Sequence, residues 1–263
     1  MKEIADRLAA YARESGEFLL RLQGKVTRGD LKEPGALVTR ADRASHEVLR
    51  AAFERDFRGT PIVMEEQSNP DVLPDTYLLA DELDGTSLYA SGLDDWGITL
   101  AYVERGVPVA GVLHQPVRNR TVIAWRGGGA WLGDRRIRVE SRLPLRERIA
   151  LIAFNRWSTD AEVAWMRRVA GLALAARGLA CTVASSIELL SGHAALYLNP
   201  RGGKVWDFAA AALAVEEAGG ATRSSTGDTL MWNSVPMGIL FAASDGIARE
   251  VLGTFSQPLR SQE

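Results

Sequence analysis

Ten residues constrain this chain more than any others: Leu78-Leu79-Ala80-Asp81-Glu82-Leu83-Asp84-Gly85-Thr86-Ser87. The apolar run 77–80 reads as a buried strand. Three carboxylates, Asp81, Glu82 and Asp84, stand within four residues at its C-terminal end. A buried strand does not carry clustered carboxylates inward unless something neutralises them. A hard divalent cation held by oxygen ligands does so. Gly85, Thr86 and Ser87 then read as a turn and a helix start, whose free N–H groups suit an anion such as phosphate. Taken alone, the same residues also fit a solvated turn with an N-cap, so the rest of the chain has to decide.

The chain has 263 residues, 46% hydrophobic and 24% charged, enough for one large domain or two closely packed halves. A net charge of −2 gives no reason to expect a nucleic-acid polymer or an anionic membrane as partner. The single cysteine, Cys181, excludes an intramolecular disulfide and points to a reducing compartment. Residues 1–7 mix charges through an amphipathic pattern without an apolar signal-peptide core, and no apolar run is long enough to span a membrane. The expectation is a cytoplasmic protein.

Ile4, Leu8, Tyr11, Ala12, Phe18 and Leu19 predict a helix over 2–23. Residues 26–37 read as a loop, with Lys32 as surface charge. A second helix carries Ala44, Val48, Leu49, Ala52 and Phe53, capped by Thr39 or Asp42. A strand over 61–64 ends in Glu65-Glu66. If it neighbours the strand over 77–80, Glu65, Asp81 and Asp84 converge at one sheet edge. Short strands between 96 and 139 form an antiparallel meander, in which Gly127-Gly128-Gly129 is a hairpin turn rather than a phosphate loop. Residues 141–148 read as a linker. Beyond it the pattern alternates: strand 149–154, helix 159–176, strand 180–184, a short helix from Ser185-Ser186, strand 194–198, helix 206–218, strand 238–243 and helix 247–255. That alternation argues for a mixed or parallel sheet covered by helices. The tail beyond Phe255 is polar.

Asp207 stands in the first turn of the alanine-rich helix, where the helix dipole alone would favour an acid. His46, His114 and His193 sit in no ligand spacing and read as structural or surface residues.

Three motifs resemble those of the inositol monophosphatase family of magnesium-dependent, lithium-sensitive phosphatases. Val63-Met64-Glu65-Glu66 is similar to its Gly-Glu-Glu strand end, with Met64 in the glycine's place. Asp81-Glu82-Leu83-Asp84-Gly85-Thr86 is similar to its Asp-Pro-(Ile/Leu)-Asp-Gly-Thr signature. Trp206-Asp207-Phe208-Ala209-Ala210 through Glu217-Ala218-Gly219-Gly220 is similar to its second signature. Val38-Thr39 with Asp42, and Gly111-Val112 with Pro116 and Gly129-Ala130, fit in order and spacing.

The resemblance spans nearly the whole chain. It implies a layered αβαβα sandwich with an N-terminal α+β half (1–140) and a C-terminal α/β half (141–263), the site between them. It implies hydrolysis of a small phosphorylated metabolite with two to three Mg²⁺. Glu65, Asp81 and the Leu83 carbonyl would hold the first ion, and Asp81, Asp84 and Asp207 the second. A third, weaker ion would use Glu65 and water, which puts Glu65 in the catalytic set with Asp42 and Thr86. Asp42 and Thr86 would orient and deprotonate the attacking water. The N–H groups of Gly85, Thr86 and Ser87 would take the phosphate. A homodimer is expected by analogy.

The favoured substrate is an inositol-1-phosphate-like polyol phosphate. Pro200-Arg201 is similar to the bisphosphate nucleotidase branch, so Arg201 and Lys204 would contact a second phosphate in that alternative. Ser186 joins Arg201 as an expected substrate contact. A fructose-1,6-bisphosphatase is a third reading. Glu82, standing where the family has proline, suggests a fourth, a catalytically weak metal- or ligand-binding regulator. The expectation for Glu82 itself is retained but weakened metal binding.

Overall fold

The computed structural model of the chain describes residues 1–23, 40–139, 142–233 and 237–255. The expected loop 26–37 with Lys32, the Thr39 cap and the polar tail lie outside them.

Two helices open the chain, α1 (Lys2–Leu22) and α2 (Arg40–Asp56). The strands that follow are β1 (Ile62–Met64), β2 (Tyr77–Asp84), β3 (Gly97–Glu104), β4 (Val107–Gln115), β5 (Arg120–Trp125), β6 (Gly129–Leu132) and β7 (Arg135–Ile137), with the short helix α3 (Thr86–Ala90) after β2. They form one seven-stranded sheet in chain order. β1 and β2 are parallel, and every later neighbour is antiparallel, as the meander requires. The chain continues through β8 (Ile149–Ile152), α4 (Asp160–Leu172), β9 (Ala175–Arg177), α5 (Thr182–Leu190), β10 (Leu196–Gly203), α6 (Val205–Glu217), β11 (Ala221–Ser224), β12 (Met237–Ala242) and α7 (Asp245–Leu252). These strands make a five-stranded mixed sheet in the order β11-β12-β10-β8-β9.

The result is five layers. α1 and α2 cover one face of the first sheet, α5 and α6 lie between the sheets, and α4 and α7 pack on the second sheet. Strand alternation explains the two cores that result. In β2, Leu78 and Ala80 pack with α1 and α2, whereas Tyr77 and Leu79 belong to the core that continues into the second sheet. α6 is apolar on all sides, which suits a helix covered on both faces. Its alanines let it lie close to the sheet: a Cβ on Gly111 of β4 would stand 2.9 Å from Ala210 Cα.

Four expectations need correction. No strand spans 180–184: Cys181 is the N-cap of α5, its sulfur accepting from Ala184 N–H, and Ser185 and Ser186 lie within that helix rather than starting it. A short apolar run gives strand and helix the same signature, so periodicity did not separate them. α4 ends at Leu172, and 175–177 pairs with β8 as β9. β11 was not expected at all, because its four residues carry no alternation beyond the reach of chance. Asp42 is no cap but a buried residue within the first turn of α2.

Candidate active site

β2 does not stop before its acids. Pairing with β3 carries on through Asp81 opposite Thr99 and Asp84 opposite Gly97, with an irregularity between them. That irregularity follows from the local sequence: Asp81 Oδ1 accepts from Leu83 N–H at 2.9 Å, folding the chain back on itself. β1 runs parallel beside β2, so its C-terminal end arrives at the same edge. Glu65 N–H donates to Ala80 O, fixing Glu65 beside Asp81. Asp207 comes from the first turn of α6, where its Oδ2 accepts from Lys204 N–H at 2.8 Å. One carboxylate oxygen each from Glu65, Asp81 and Asp207 lies within 4.8 Å of the others.

Asp84 completes the group. Its Oδ2 accepts from Val183 N–H at 2.6 Å and from the Cys181 thiol at 3.0 Å, which leaves Oδ1 uncommitted to these donors. The N-terminus of α5 thus orients a carboxylate from the other half of the chain. Gly85 follows at φ +87°, a conformation glycine adopts without strain. It turns the chain so that Thr86 Oγ1 lies 3.0 Å from both Asp42 Oδ1 and the Leu83 carbonyl, its single hydrogen shared between two acceptors.

Glu65, Asp81, Leu83, Asp84, Gly85, Thr86, Ser87 and Asp207 all line one cleft of about 280 Å³. Asn155, Trp157, Cys181, Asn199 and Gly203 line it too. Burial pushes the carboxyls of Asp81, Asp84 and Asp207 well above the usual carboxylate range, and mutual repulsion adds to it at Asp81 and Asp207. Glu65 is the solvent-exposed member, and the protein packed around it together with Asp207, Glu82 and Glu66 raises it as well. Four acids that cannot all ionise together are what a site for cationic charge looks like. The ligand set is all oxygen, and Asp84 and Asp207 each keep one oxygen free of the backbone contacts described. Hard divalent ions such as Mg²⁺ fit this donor chemistry, and soft ones do not.

Glu82, the residue without a sequence explanation, points away from this group. Its Oε1 accepts from His46 Nδ1 at 2.6 Å, and both side chains are buried. Ser45 Oγ donates to the Glu82 carbonyl at 2.9 Å, so two neighbouring residues of α2 hold this one residue of β2. His46 is therefore structural, as expected, and its partner is the anomalous glutamate.

Two expected substrate contacts are misplaced. Arg201 Nε donates to both carboxylate oxygens of Glu162, at 2.9 and 3.0 Å, and Arg201 lines a separate cavity with Trp165 and Phe255. Ser186 is fully buried in α5 and does not line the acid cleft. Lys204 serves through its backbone, as the N-cap of α6. The sequence reading missed Cys181, Asn155, Trp157 and Asn199. Nothing in their spacing marks them, because they reach the cleft from separate parts of the second half: the loop after β8, the N-cap of α5 and strand β10. His46 was findable: Asp42, His46, Leu49 and Phe53 repeat at helical spacing along one face of α2.

Comparison with known proteins agrees with this geometry. The model of the inositol monophosphatase family matches residues 1–256. An inositol-1-monophosphatase of Mesorhizobium japonicum is 27% identical over 257 residues, covering 95% of each chain. The Nus factor SuhB of Pasteurella multocida is 29% identical over 260 residues, covering 96% of this chain and 95% of its own. Among solved structures, a Thermotoga maritima IMPase superposes with a TM-score of 0.85 at 26% identity, covering 97% of both chains.

Proposed function

Because the chain belongs to the inositol monophosphatase family, and is thus a metal-dependent phosphomonoesterase, we propose that it hydrolyses a small polyol phosphate of the inositol-1-phosphate type with Mg²⁺ in the acid cleft. One observation carries this reading: Glu65, Asp81, Asp84 and Asp207, drawn from three separate segments, share a single cleft with Thr86, whose hydroxyl reaches the buried Asp42 behind it. The metal-ligand assignments implied by the motifs are kept. Glu65, Asp81 and the Leu83 carbonyl would hold one ion, Asp81, Asp84 and Asp207 a second, and Glu65 with water a weaker third.

Divalent cations at these positions supply charge neutralisation for the phosphate and acidify the attacking water. The rest falls to the chain. Thr86 Oγ1 accepts the proton of the incoming water as its own hydrogen passes toward Asp42 Oδ1, 3.0 Å away. The N–H groups of Gly85, Thr86 and Ser87, at the start of α3, would take the phosphoryl oxygens. Val183 N–H and the Cys181 thiol hold Asp84 against rotation. Glu82 takes no part, since it spends its carboxylate on His46. The polyol reading is favoured over the bisphosphate nucleotidase alternative because Arg201 pairs with Glu162 and lines a neighbouring cavity.

The test is phosphate release from inositol 1-phosphate, adenosine 3′,5′-bisphosphate and fructose 1,6-bisphosphate, each with and without Mg²⁺. The reading expects Mg²⁺-dependent release, fastest from inositol 1-phosphate. Release from none of them would sink it.

A further inference from the structure

The mouth of the cleft carries a large apolar side chain that the phosphatase chemistry does not use. Trp157 lines the acid cleft and is nonetheless 56% exposed. Indole surface left in water beside four carboxylates gains nothing for folding. Nor is the residue loosely placed. Its backbone N–H donates to Asn155 Oδ1 at 3.0 Å, and Asn155 Nδ2 donates to the Arg201 carbonyl at 2.6 Å. Ser158 Oγ donates to the same Asn155 oxygen, and Thr159 then starts α4 with a capping box closed by Glu162. Glu162 in turn holds Arg201. The loop is thereby tied at both ends to the segment 201–202.

Gly202 is part of the same fit. It sits at φ +93°, and a Cβ there would come within 3.3 Å of Trp157 Cε3 and 3.4 Å of Asn155 Nδ2. The absence of a side chain at 202 is what lets the indole settle against the backbone. The Arg156 guanidinium lies 5.1 Å from the indole centroid. In the same cleft, Asn199 Oδ1 is buried and accepts no hydrogen bond from any described residue. A buried acceptor without a donor is costly, and a ligand hydroxyl would relieve it.

We infer that Trp157 is a specificity-determining residue that selects ring-bearing substrates, the C–H face of a cyclic polyol packing on the indole while one hydroxyl donates to Asn199. This rests on the reading of the cleft as a phosphomonoesterase site. The hydrogens of the ring C–H bonds, polarised by the neighbouring oxygens, carry partial positive charge, which suits the negative face of the aromatic ring. An apolar wall with a few placed polar groups is the usual way a pocket fixes a small ligand's orientation. Arg156, over the indole, helps to hold the ring in place.

The test compares Trp157→Ala and Trp157→Phe with the wild-type enzyme in Mg²⁺, measuring kcat and KM for inositol 1-phosphate, the acyclic glycerol 2-phosphate and adenosine 3′,5′-bisphosphate. The expected result for Trp157→Ala is a KM for inositol 1-phosphate raised about tenfold, equivalent to ~1.4 kcal/mol. Its kcat stays nearly unchanged, glycerol 2-phosphate is unaffected, and Trp157→Phe recovers most of the loss. Equal losses on the cyclic and acyclic substrates, or no loss on either, overturn the inference while leaving the phosphatase reading intact. A loss greatest for the nucleotide overturns the polyol assignment in favour of base stacking. A wild type that releases phosphate from none of the three removes the phosphatase reading and this inference with it.

Discussion

His46 Nδ1 donates a 2.6 Å hydrogen bond to Glu82 Oε1, joining α2 to the acidic strand β2 beneath the site. This pair explains how a glutamate stands where the family has proline. Proline stiffens a turn through its ring. Here the turn is held from outside, by His46 on the side chain and Ser45 on the carbonyl. One oxygen of the extra carboxylate is engaged by the imidazole, and its negative charge still adds to the raising of Glu65.

Removing His46 strands a buried carboxylate whose other oxygen, Oε2, already has no partner among the described residues. His46→Leu is expected to cost about 3–5 kcal/mol of folding stability, the usual penalty for breaking a buried pair from one side. The hydrogen bond to Glu82 raises the His46 pKa above its ordinary value, against a smaller lowering by burial. A raised folded-state pKa contributes stability that is full below about 6.5, the unfolded value, and fades as pH climbs through the folded one. Denaturant unfolding should thus show the gap between wild type and His46→Leu wide in mildly acidic buffer and narrower in alkaline buffer. A gap that widens with pH would contradict the pairing.

The four clustered carboxyls give a second pH dependence, of the metal rather than the fold. Burial holds Asp84 up at about 6, and burial with repulsion from Asp84 holds Asp207 at about 7, in the metal-free chain. Raised acids stabilise the metal-free protein most when protonated, and that contribution is lost as pH rises through 6 to 7. Mg²⁺ must displace those protons. The rise in Tm on adding Mg²⁺ should therefore be small at pH 5.5 and large at pH 8, by scanning calorimetry. A Tm shift independent of pH would argue against these acids as its ligands.

The sequence made the two metal motifs legible because each packs several chemically committed residues into a short span. Asp81, Asp84 and Gly85 are adjacent, and Glu65 is legible once β1 and β2 are taken as neighbours. Asp207 needed the resemblance, since a first-turn acid explains itself. The second sheet's contributions were illegible for a different reason. Cys181, Asn155 and Trp157 act through tertiary placement, and 180–184 carries an apolar pattern that fits strand and helix alike. The pairing of Arg201 with Glu162 was illegible because charge alone cannot show which acid will claim an arginine, and Glu162 lies 39 positions away.

Cys181 should matter to the ion more than to the fold. Its thiol is one of two donors on Asp84 Oδ2. Cys181→Ala leaves Val183 N–H in place, so the Mg²⁺ concentration for half-maximal activity should rise by about threefold to tenfold, a loss in the range of one ordinary hydrogen bond, as befits a weak thiol donor. Cys181→Ser keeps a donor and should lie close to wild type. If both substitutions behave alike, the thiol does not orient Asp84.

Thr86 separates catalysis from metal binding. Its hydroxyl contacts Asp42 and the Leu83 carbonyl, while its neighbours in the cleft supply the carboxylates. Thr86→Ala should lower kcat by about 10²–10⁴, the usual worth of a positioned proton acceptor. Its Mg²⁺-induced rise in Tm should persist, because Glu65, Asp81, Asp84 and Asp207 are intact. Asp42→Asn should reproduce the kcat loss with Thr86 present, since the amide cannot take the proton on. The double variant should then lose little more than either alone, as residues of one relay are non-additive. Losses that multiply would mean that Thr86 and Asp42 act separately, and their 3.0 Å contact would be a structural bond only.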